Sequence, residues 1–181
     1  TLQITLGVPL IHIKGYAAPE VERTYTRARE LCQQVGETPQ LFSALWGLWL
    51  FYVCGGGHRE TARELGEQLL SLAKNVHEPA PLAHYALGCS LFLLGELAQG
   101  REHLEQGIAL YDLQQHRSHA FLYGQDPGVA CRSHAARVLW HLGYPDQALK
   151  RSHEALSLAQ ELSHPFSLAY ALSFAAWSHQ S

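Results

Sequence analysis

Two pairs of histidine and cysteine residues carry the densest ligand chemistry in the sequence. His116 and His119 lie three residues apart. Cys131 and His134 repeat that spacing within a predicted helix, where such residues share one face. Structural and catalytic zinc sites usually take three or four convergent protein ligands, so such a site would require the segment 112–126 to fold back over that helix. No Cys-x-x-Cys or His-Glu-x-x-His spacing adds a ligand. We therefore interpret these histidines as ordinary surface or loop residues and predict no metal and no cofactor. A metal-dependent enzyme using these four residues is the remote alternative.

Other catalytic patterns are equally weak in the sequence. The glycine-rich run 54–58 is not followed by Lys-Ser or Lys-Thr and no predicted strand precedes it, so it indicates a turn between helices rather than a phosphate-binding loop. No serine lies in a Gly-x-Ser-x-Gly motif. Cys131 lies beside Val129 and Ala130, which favours a packed helix over a reactive thiol. We predict no enzymatic activity.

Composition narrows the class of protein further. Of 181 residues, 47% are apolar and 16% charged, which is typical of a folded chain rather than a disordered one. The net charge is −3 and there is no basic stripe, which argues against nucleic acid. No apolar run approaches the roughly 20 residues of a membrane span, and residues 1–15 do not resemble a signal peptide. Widely spaced cysteines favour reduced thiols and therefore a cytoplasmic protein: Cys32, Cys54, Cys89 and Cys131.

The chain carries a repeat of about 40 residues. Four prolines recur at intervals of 40, 48 and 38 residues, namely Pro39, Pro79, Pro127 and Pro165. Proline is well tolerated at the first position of a helix, and Thr38 and Asp126 are suitable residues for capping two of these helices. The prolines therefore predict four helix starts. We call the helix that follows each proline helix A of its repeat.

A second helix, which we call helix B, begins about 12 residues after the centre of helix A. Its small or medium residues recur at offsets 0, 4 and 7, as at Gly100, Leu104 and Gly107. Residues at these offsets share one helix face, and small ones allow two helices to approach closely. Ala62, Leu65, Leu69, Leu72 and Val76 form a similar one-sided apolar stripe.

The spacing of these residues resembles the tetratricopeptide repeat. The likeness rests on Leu87, Gly88, Leu91, Gly95, Gly100, Leu104 and Gly107, and is repeated at Ala136, Leu139, Gly143, Ala148 and Ala155. It implies an all-α solenoid of stacked antiparallel helix pairs, about nine helices in all. In this family helix A forms the concave wall that binds protein or peptide partners.

At a finer level the chain resembles the tetratricopeptide region of large bacterial regulatory proteins that carry a signalling ATPase, often behind a nucleotide cyclase. The segments that carry this likeness are 15–22, 29–37 and 116–127. The resemblance implies a regulatory arm that contacts a partner or the adjacent domains of the same chain. In keeping with this, we expect residues 1–181 to form one repeat domain cut from a larger protein, with an exposed apolar face near its C-terminal end.

The predicted helices are 2–13, 19–35, 39–54, 59–76, 80–94, 97–111, 127–142, 145–162 and 165–180. Between the sixth and seventh lies a longer loop at 112–126, which contains several histidine, glutamine and aromatic residues. Long loops in compact repeats are commonly functional or disordered. The aromatic residues Phe121 and Tyr123 slightly favour an ordered, packed loop.

The candidate partner-binding groove follows from the position of helix A. Side chains one, four or five residues past its centre, and one three residues before it, should face the concave wall. They are Trp49, Tyr52, Tyr85, Cys89, Phe92, Arg137, Trp140 and His141. Such a surface could hold an apolar peptide stretch and one carboxylate. In the alternative interpretation Trp49, Phe92 and Trp140 are core residues. The leading functional prediction is a protein-interaction module of a signalling protein, and the second is a receptor for a peptide or small ligand.

Overall fold

The fold was analysed in a computed structural model, which describes residues 10, 11, 13–36, 38–55, 58–74 and 80–179. The chain divides into two compact units, Thr1–Pro79 and Ala80–Ser181. Each unit is described by itself below. One repeat domain over residues 1–181 stays a prediction.

The first unit contains three helices beyond its initial segment. They are α1 (Pro19–Val35), α2 (Thr38–Gly55) and α3 (Arg59–Ala73), and each packs against the next. The helix predicted at 2–13 is helical at residues 10, 11 and 13, and the rest of it lies outside the described residues. Thr38 is the first residue of α2 and therefore does not precede it as the predicted cap. The apolar stripe of α3 is buried at Ala62, Leu65 and Leu69, whereas Val76 is not described.

The second unit contains seven helices. They are α4 (Ala80–Leu94), α5 (Leu97–Leu110), α6 (Leu113–His116), α7 (His119–Leu122), α8 (Pro127–His141), α9 (Pro145–Leu162) and α10 (Pro165–His179). The bounds predicted for α4 and α9 are confirmed, and those of α5, α8 and α10 differ by one residue. In the part of the chain described here no residue is in a strand. None of the described helices is long and apolar enough to cross a membrane.

Glycine residues set how closely helix A and helix B approach in the second unit. A Cβ atom added to Gly88 of α4 would lie 3.0 Å from the carbonyl oxygen of Gly100 in α5, and the reverse addition gives the same distance. Two helical turns on, a Cβ atom on Gly107 would lie 2.6 Å from the sulfur of Cys131 in α8. The backbone of α5 therefore packs against the backbone of α4 at Gly100 and against a side chain of α8 at Gly107, as the offsets 0 and 7 predict.

Helices α4 and α8, two of the three helix A segments of this unit, end in the same way. After α4 the amide of Glu96 donates to the carbonyl of Leu91 (2.9 Å), and Gly95 has a φ of 85°. After α8 the amide of Tyr144 donates to Leu139 (2.9 Å), and Gly143 has a φ of 84°. In this helix-ending motif the residue after the helix adopts the left-handed backbone conformation, which favours glycine. The chain then turns directly into the next helix.

The predicted loop 112–126 is ordered and contains the two short helices α6 and α7. Asp126 anchors it: one carboxylate oxygen accepts from the amide of Val129 (2.9 Å) and the other from the hydroxyl of Tyr111 (3.0 Å). The first bond confirms Asp126 as the cap of α8. Phe121, which suggested packing, is 74% exposed, whereas His116 and His119 are buried. The two histidines therefore pack this segment together with Tyr123, whose ring centroid lies 5.3 Å from that of His119.

Gly88→Ala tests the close approach of α4 and α5. Alanine normally stabilises a helix by about 1 kcal/mol relative to glycine. At this position the new Cβ atom would meet Leu104 Cγ at 2.8 Å and the backbone of Gly100 at 3.0 Å. We expect the free energy of unfolding to fall by about 1–3 kcal/mol, measured by urea denaturation.

Gly55→Ala is the matched control, because among the described residues the only atom within 4 Å of its added Cβ atom is Ala17 Cβ at 3.7 Å. This variant should be as stable as the original chain or slightly more stable. An equal gain in both variants would contradict the close approach.

Candidate functional site

Three helices that follow the repeat prolines lie side by side in the second unit. Helix α8 packs against both α4 and α10. One set of ring and guanidinium contacts runs across all three, and we call it the aromatic wall: Tyr85, Phe92, His134, Arg137, His141, Tyr170 and Phe174. The packing of α8 against its two neighbours brings these side chains together.

Arg137 lies at the centre of the wall between two phenylalanine rings. Its guanidinium carbon is 4.9 Å from the ring centroid of Phe92 and 5.3 Å from that of Phe174. Both distances are within the roughly 6 Å over which a cation is attracted to a ring face. The ring of His141 meets Phe92 edge-on at 5.3 Å. Phe92, Arg137 and Phe174 are half-buried and His141 is exposed, so this part of the wall is accessible.

Beneath Arg137 lies a hydrogen-bonded layer. The hydroxyl of Tyr170 is 3.1 Å from the hydroxyl of Tyr85 and 3.1 Å from Nδ1 of His134. Gln125, from the segment before α8, donates its amide to the Tyr85 hydroxyl at 3.5 Å. The imidazole of His134 also packs against Phe174, with ring centroids 4.8 Å apart. The layer joins all three helices through polar atoms that would be costly to bury without partners.

Burial keeps this layer uncharged. Burial, together with the positive charge of Arg137, lowers the pKa of His134 to about 3. Burial also raises the pKa values of the Tyr85 and Tyr170 hydroxyls, so both stay protonated at neutral pH. The guanidinium of Arg137 therefore gives the wall its positive charge, while the hydrogen-bonded side chains that support it are neutral.

The sequence-predicted groove residues are distributed between the two units. Tyr85, Phe92, Arg137 and His141 meet in the aromatic wall. Cys89 is buried, and Trp140 is half-buried. In the first unit Trp49 is fully buried with its ring 5.0 Å from Trp46, and the Tyr52 hydroxyl donates to Glu22 at 2.6 Å. Tyr170 and Phe174 were not among the predicted site residues. The assignment of these residues to a partner stays a prediction.

The histidines first considered as ligands are not on the surface. His116, His119 and His134 are 7%, 1% and 6% exposed, so the surface interpretation is wrong for them. His116 stacks on Tyr111, and its ring lies 5.1 Å from that of His119. Cys131 is buried with its thiol against the carbonyl of Pro81, and burial raises the pKa of that thiol. Within the described ranges no group of three or more His, Cys, Asp or Glu residues could hold a metal ion.

Comparison with solved structures supports the fold assignment. Two crystal structures of the nearly identical TPR-like repeats of a Podosopora anserina protein described as a kinesin light chain match this chain. They are 16% and 17% identical to it, with TM-scores of 0.67 and 0.66, and each match covers 98% of this chain and 84% of the other. The prediction of an all-α, tetratricopeptide-like fold is confirmed. No protein-family model matches the sequence, and no curated protein matches it significantly.

The depressed pKa of His134 predicts a loss of stability in acid. An unfolded histidine has a pKa of about 6.5, whereas the folded value is about 3. As pH falls below 6.5 the unfolded chain takes up a proton that the folded chain does not. We expect His134 to reduce the free energy of unfolding by up to about 1.4 kcal/mol for each pH unit between 6 and 4.

Urea denaturation from pH 7 to 4 measures this effect. The His134→Gln variant should show a shallower decline with pH than the original chain, because glutamine does not titrate. His153→Gln is the control, since His153 is exposed on α9. Equal declines in the original chain and in His134→Gln would contradict a neutral, buried His134.

Proposed function

We propose that this chain is a non-catalytic protein-interaction module that binds a protein or peptide partner on the aromatic wall. The observation that carries the proposal is the half-buried Arg137 held between Phe92 and Phe174. The tetratricopeptide-like fold supports it, because stacked helix pairs build extended binding surfaces from one face of successive helices.

The chemistry of this arrangement favours a particular kind of ligand. The rings of Phe92 and Phe174 both lie within 6 Å of the Arg137 guanidinium carbon, and the N–H donors of a guanidinium all lie in its own plane. A carboxylate approaching in that plane matches the fork geometry of the donors, and apolar groups can contact the rings on either side. The ligand we propose is therefore an extended peptide with an acidic group next to an apolar side chain.

The setting of the module is also a proposal. Segments 15–22, 29–37 and 116–127 resemble the repeat region of bacterial regulatory proteins with a signalling ATPase, which favours a role as the regulatory arm of a larger protein. Its ligand would then be a partner protein or an adjacent domain. All four cysteines are present as thiols, which supports a cytoplasmic location. A net charge of −3 does not favour nucleic acid as the ligand.

Arg137→Ala tests the wall directly. Peptides would be selected for binding to the intact chain by display, and their affinities measured by calorimetry for the original chain and its variants. We expect Arg137→Ala to weaken the binding of selected acidic peptides by about 1–3 kcal/mol, the scale of a lost charged hydrogen bond.

Arg101→Ala is the matched control. Arg101 also lies over an aromatic ring, 5.6 Å from Tyr144, but it belongs to α5 and not to the wall. Its loss should leave affinity unchanged. If both variants bind the selected peptides as tightly as the original chain, the partner surface lies elsewhere.

Trp140→Ala separates a binding role from a packing role. If Trp140 is a core residue, its removal should lower the free energy of unfolding by about 3–5 kcal/mol. Because Trp140 is half-buried in the structure, we expect a smaller loss of stability. Urea denaturation of this variant beside Trp49→Ala, which removes a fully buried ring, provides the comparison.

A further inference from the structure

A second polar feature lies between α4 and α5, outside the aromatic wall. Nδ1 of His84 and Nδ1 of His103 are 3.1 Å apart, and the ring centroids are 5.3 Å apart at an angle of 33°. Both side chains are half-buried, so ions in solution can reach them. The aromatic wall uses neither residue.

The backbone holds these two histidines in place. Gly88 lies one turn after His84, and Gly100 lies one turn before His103, so the two glycines that bring α4 and α5 together also bring the rings together. On the other side, a Cβ atom on Gly107 would lie 3.4 Å from Cβ of His84. The pair is therefore fixed by helix packing on both sides and is not formed by two mobile surface side chains.

We infer that His84 and His103 form a two-histidine site for a divalent transition-metal ion such as Zn²⁺ or Cu²⁺, with water completing the coordination. The inference is independent of the proposed partner surface.

The distance between the two nitrogens carries the inference. With metal–nitrogen bonds of about 2.0–2.1 Å, two nitrogens stand about 2.9 Å apart at a right angle and about 3.4 Å apart at a tetrahedral angle. The observed 3.1 Å lies between these values. One ion can therefore bind both nitrogens at nearly their present separation once the two rings turn so that their lone pairs converge on it.

The proton balance of binding is simple. In the metal-free pair one Nδ1 carries a proton and donates it to the other. When a metal binds, that ring exchanges with water to the tautomer that carries its proton on Nε2, and both Nδ1 lone pairs face the ion. Burial lowers the pKa of His103 against the opposing effect of Glu102, and this favours the neutral form that binds metals.

Calorimetric titration tests the site. Chain freed of metal by a chelator, which is then removed, would be titrated with ZnCl₂ or CuCl₂ and, in a parallel experiment, with MgCl₂. We expect one Zn²⁺ or Cu²⁺ ion to bind per chain at this pair, Cu²⁺ more tightly, and Mg²⁺ not to bind, because imidazole selects transition metals. Binding should also raise Tm as the metal concentration increases.

Variants assign the ion to the pair. His84→Gln and His103→Gln should each reduce the affinity for the metal at least about tenfold. Replacing a metal ligand should cost at least as much affinity as replacing a residue that only supports a ligand, for which about tenfold is the lower end of the measured range. The double variant should bind the metal no more weakly than either single variant, because replacing one histidine already abolishes the chelate. His153→Gln, an exposed histidine on α9, is the matched control and should keep the affinity.

Circular dichroism would first establish that each variant is folded. Copper electron paramagnetic resonance provides a measurement that does not depend on stability, and it should show two equivalent nitrogens in the original chain and one or none in the single variants. Additive losses in the double variant, an equal loss in His153→Gln, or unchanged affinity in both single variants would overturn the inference.

Discussion

The contact between the backbones of Gly88 and Gly100 is the constraint on which the second unit depends. A side chain at either position would meet a carbonyl oxygen of the opposite helix at 3.0 Å. With α4 and α5 this close, the thiol of Cys131 reaches the space above Gly107, and α8 packs in the angle between them. The position of Arg137 on α8, and therefore the whole aromatic wall, is set by this approach. The same contact brings His84 to His103.

The wall combines a charged surface with a support that carries no charge. Tyr85, His134 and Tyr170 satisfy one another's polar atoms, so the layer is buried without an ion. A protonated His134 would stand next to Arg137, and burial together with that charge prevents its protonation near neutral pH. Arg137 is consequently supported from below by neutral groups and from both sides by rings, and its position is fixed before any ligand arrives. A ligand then loses less free energy to ordering the site.

Local features of the sequence were sufficient to predict the long helices that the structure describes. Pro127 and Pro165 each begin a helix, and Gly95 and Gly143 follow the ends of α4 and α8, because these residues act on the backbone beside them. The small residues of α5 predicted its close packing for the same reason. Prediction failed where a feature depends on residues far apart in sequence. The hydrogen bond between Tyr85 and Tyr170 spans 85 residues, so helix spacing alone could not place Tyr170 in the wall.

Histidine was the residue type least predictable from the sequence. It is intermediate in its preference for burial, and its location depends on whether the fold supplies partners for its two nitrogens. His116 is buried because it stacks on Tyr111 and bonds to the backbone of Asp112 at 2.8 Å, two contacts that exist only once the insert has folded. His84 lies on α4 and His103 on α5, so no motif search for closely spaced ligands would pair them.

The bond between Tyr111 and Asp126 also bears on how this chain can change in evolution. It joins the two ends of the segment 112–126, so the residues between them form a closed loop that is additional to the repeat. The entropic contribution to the free energy of closing such a loop rises by only about 0.6 kcal/mol for each doubling of its length. Insertions and deletions inside it should therefore leave the packing of α5 against α8 intact. Natural selection can vary the length and surface of this segment, including the exposed Phe121 and Leu122, while the helices that carry Arg137 keep their register.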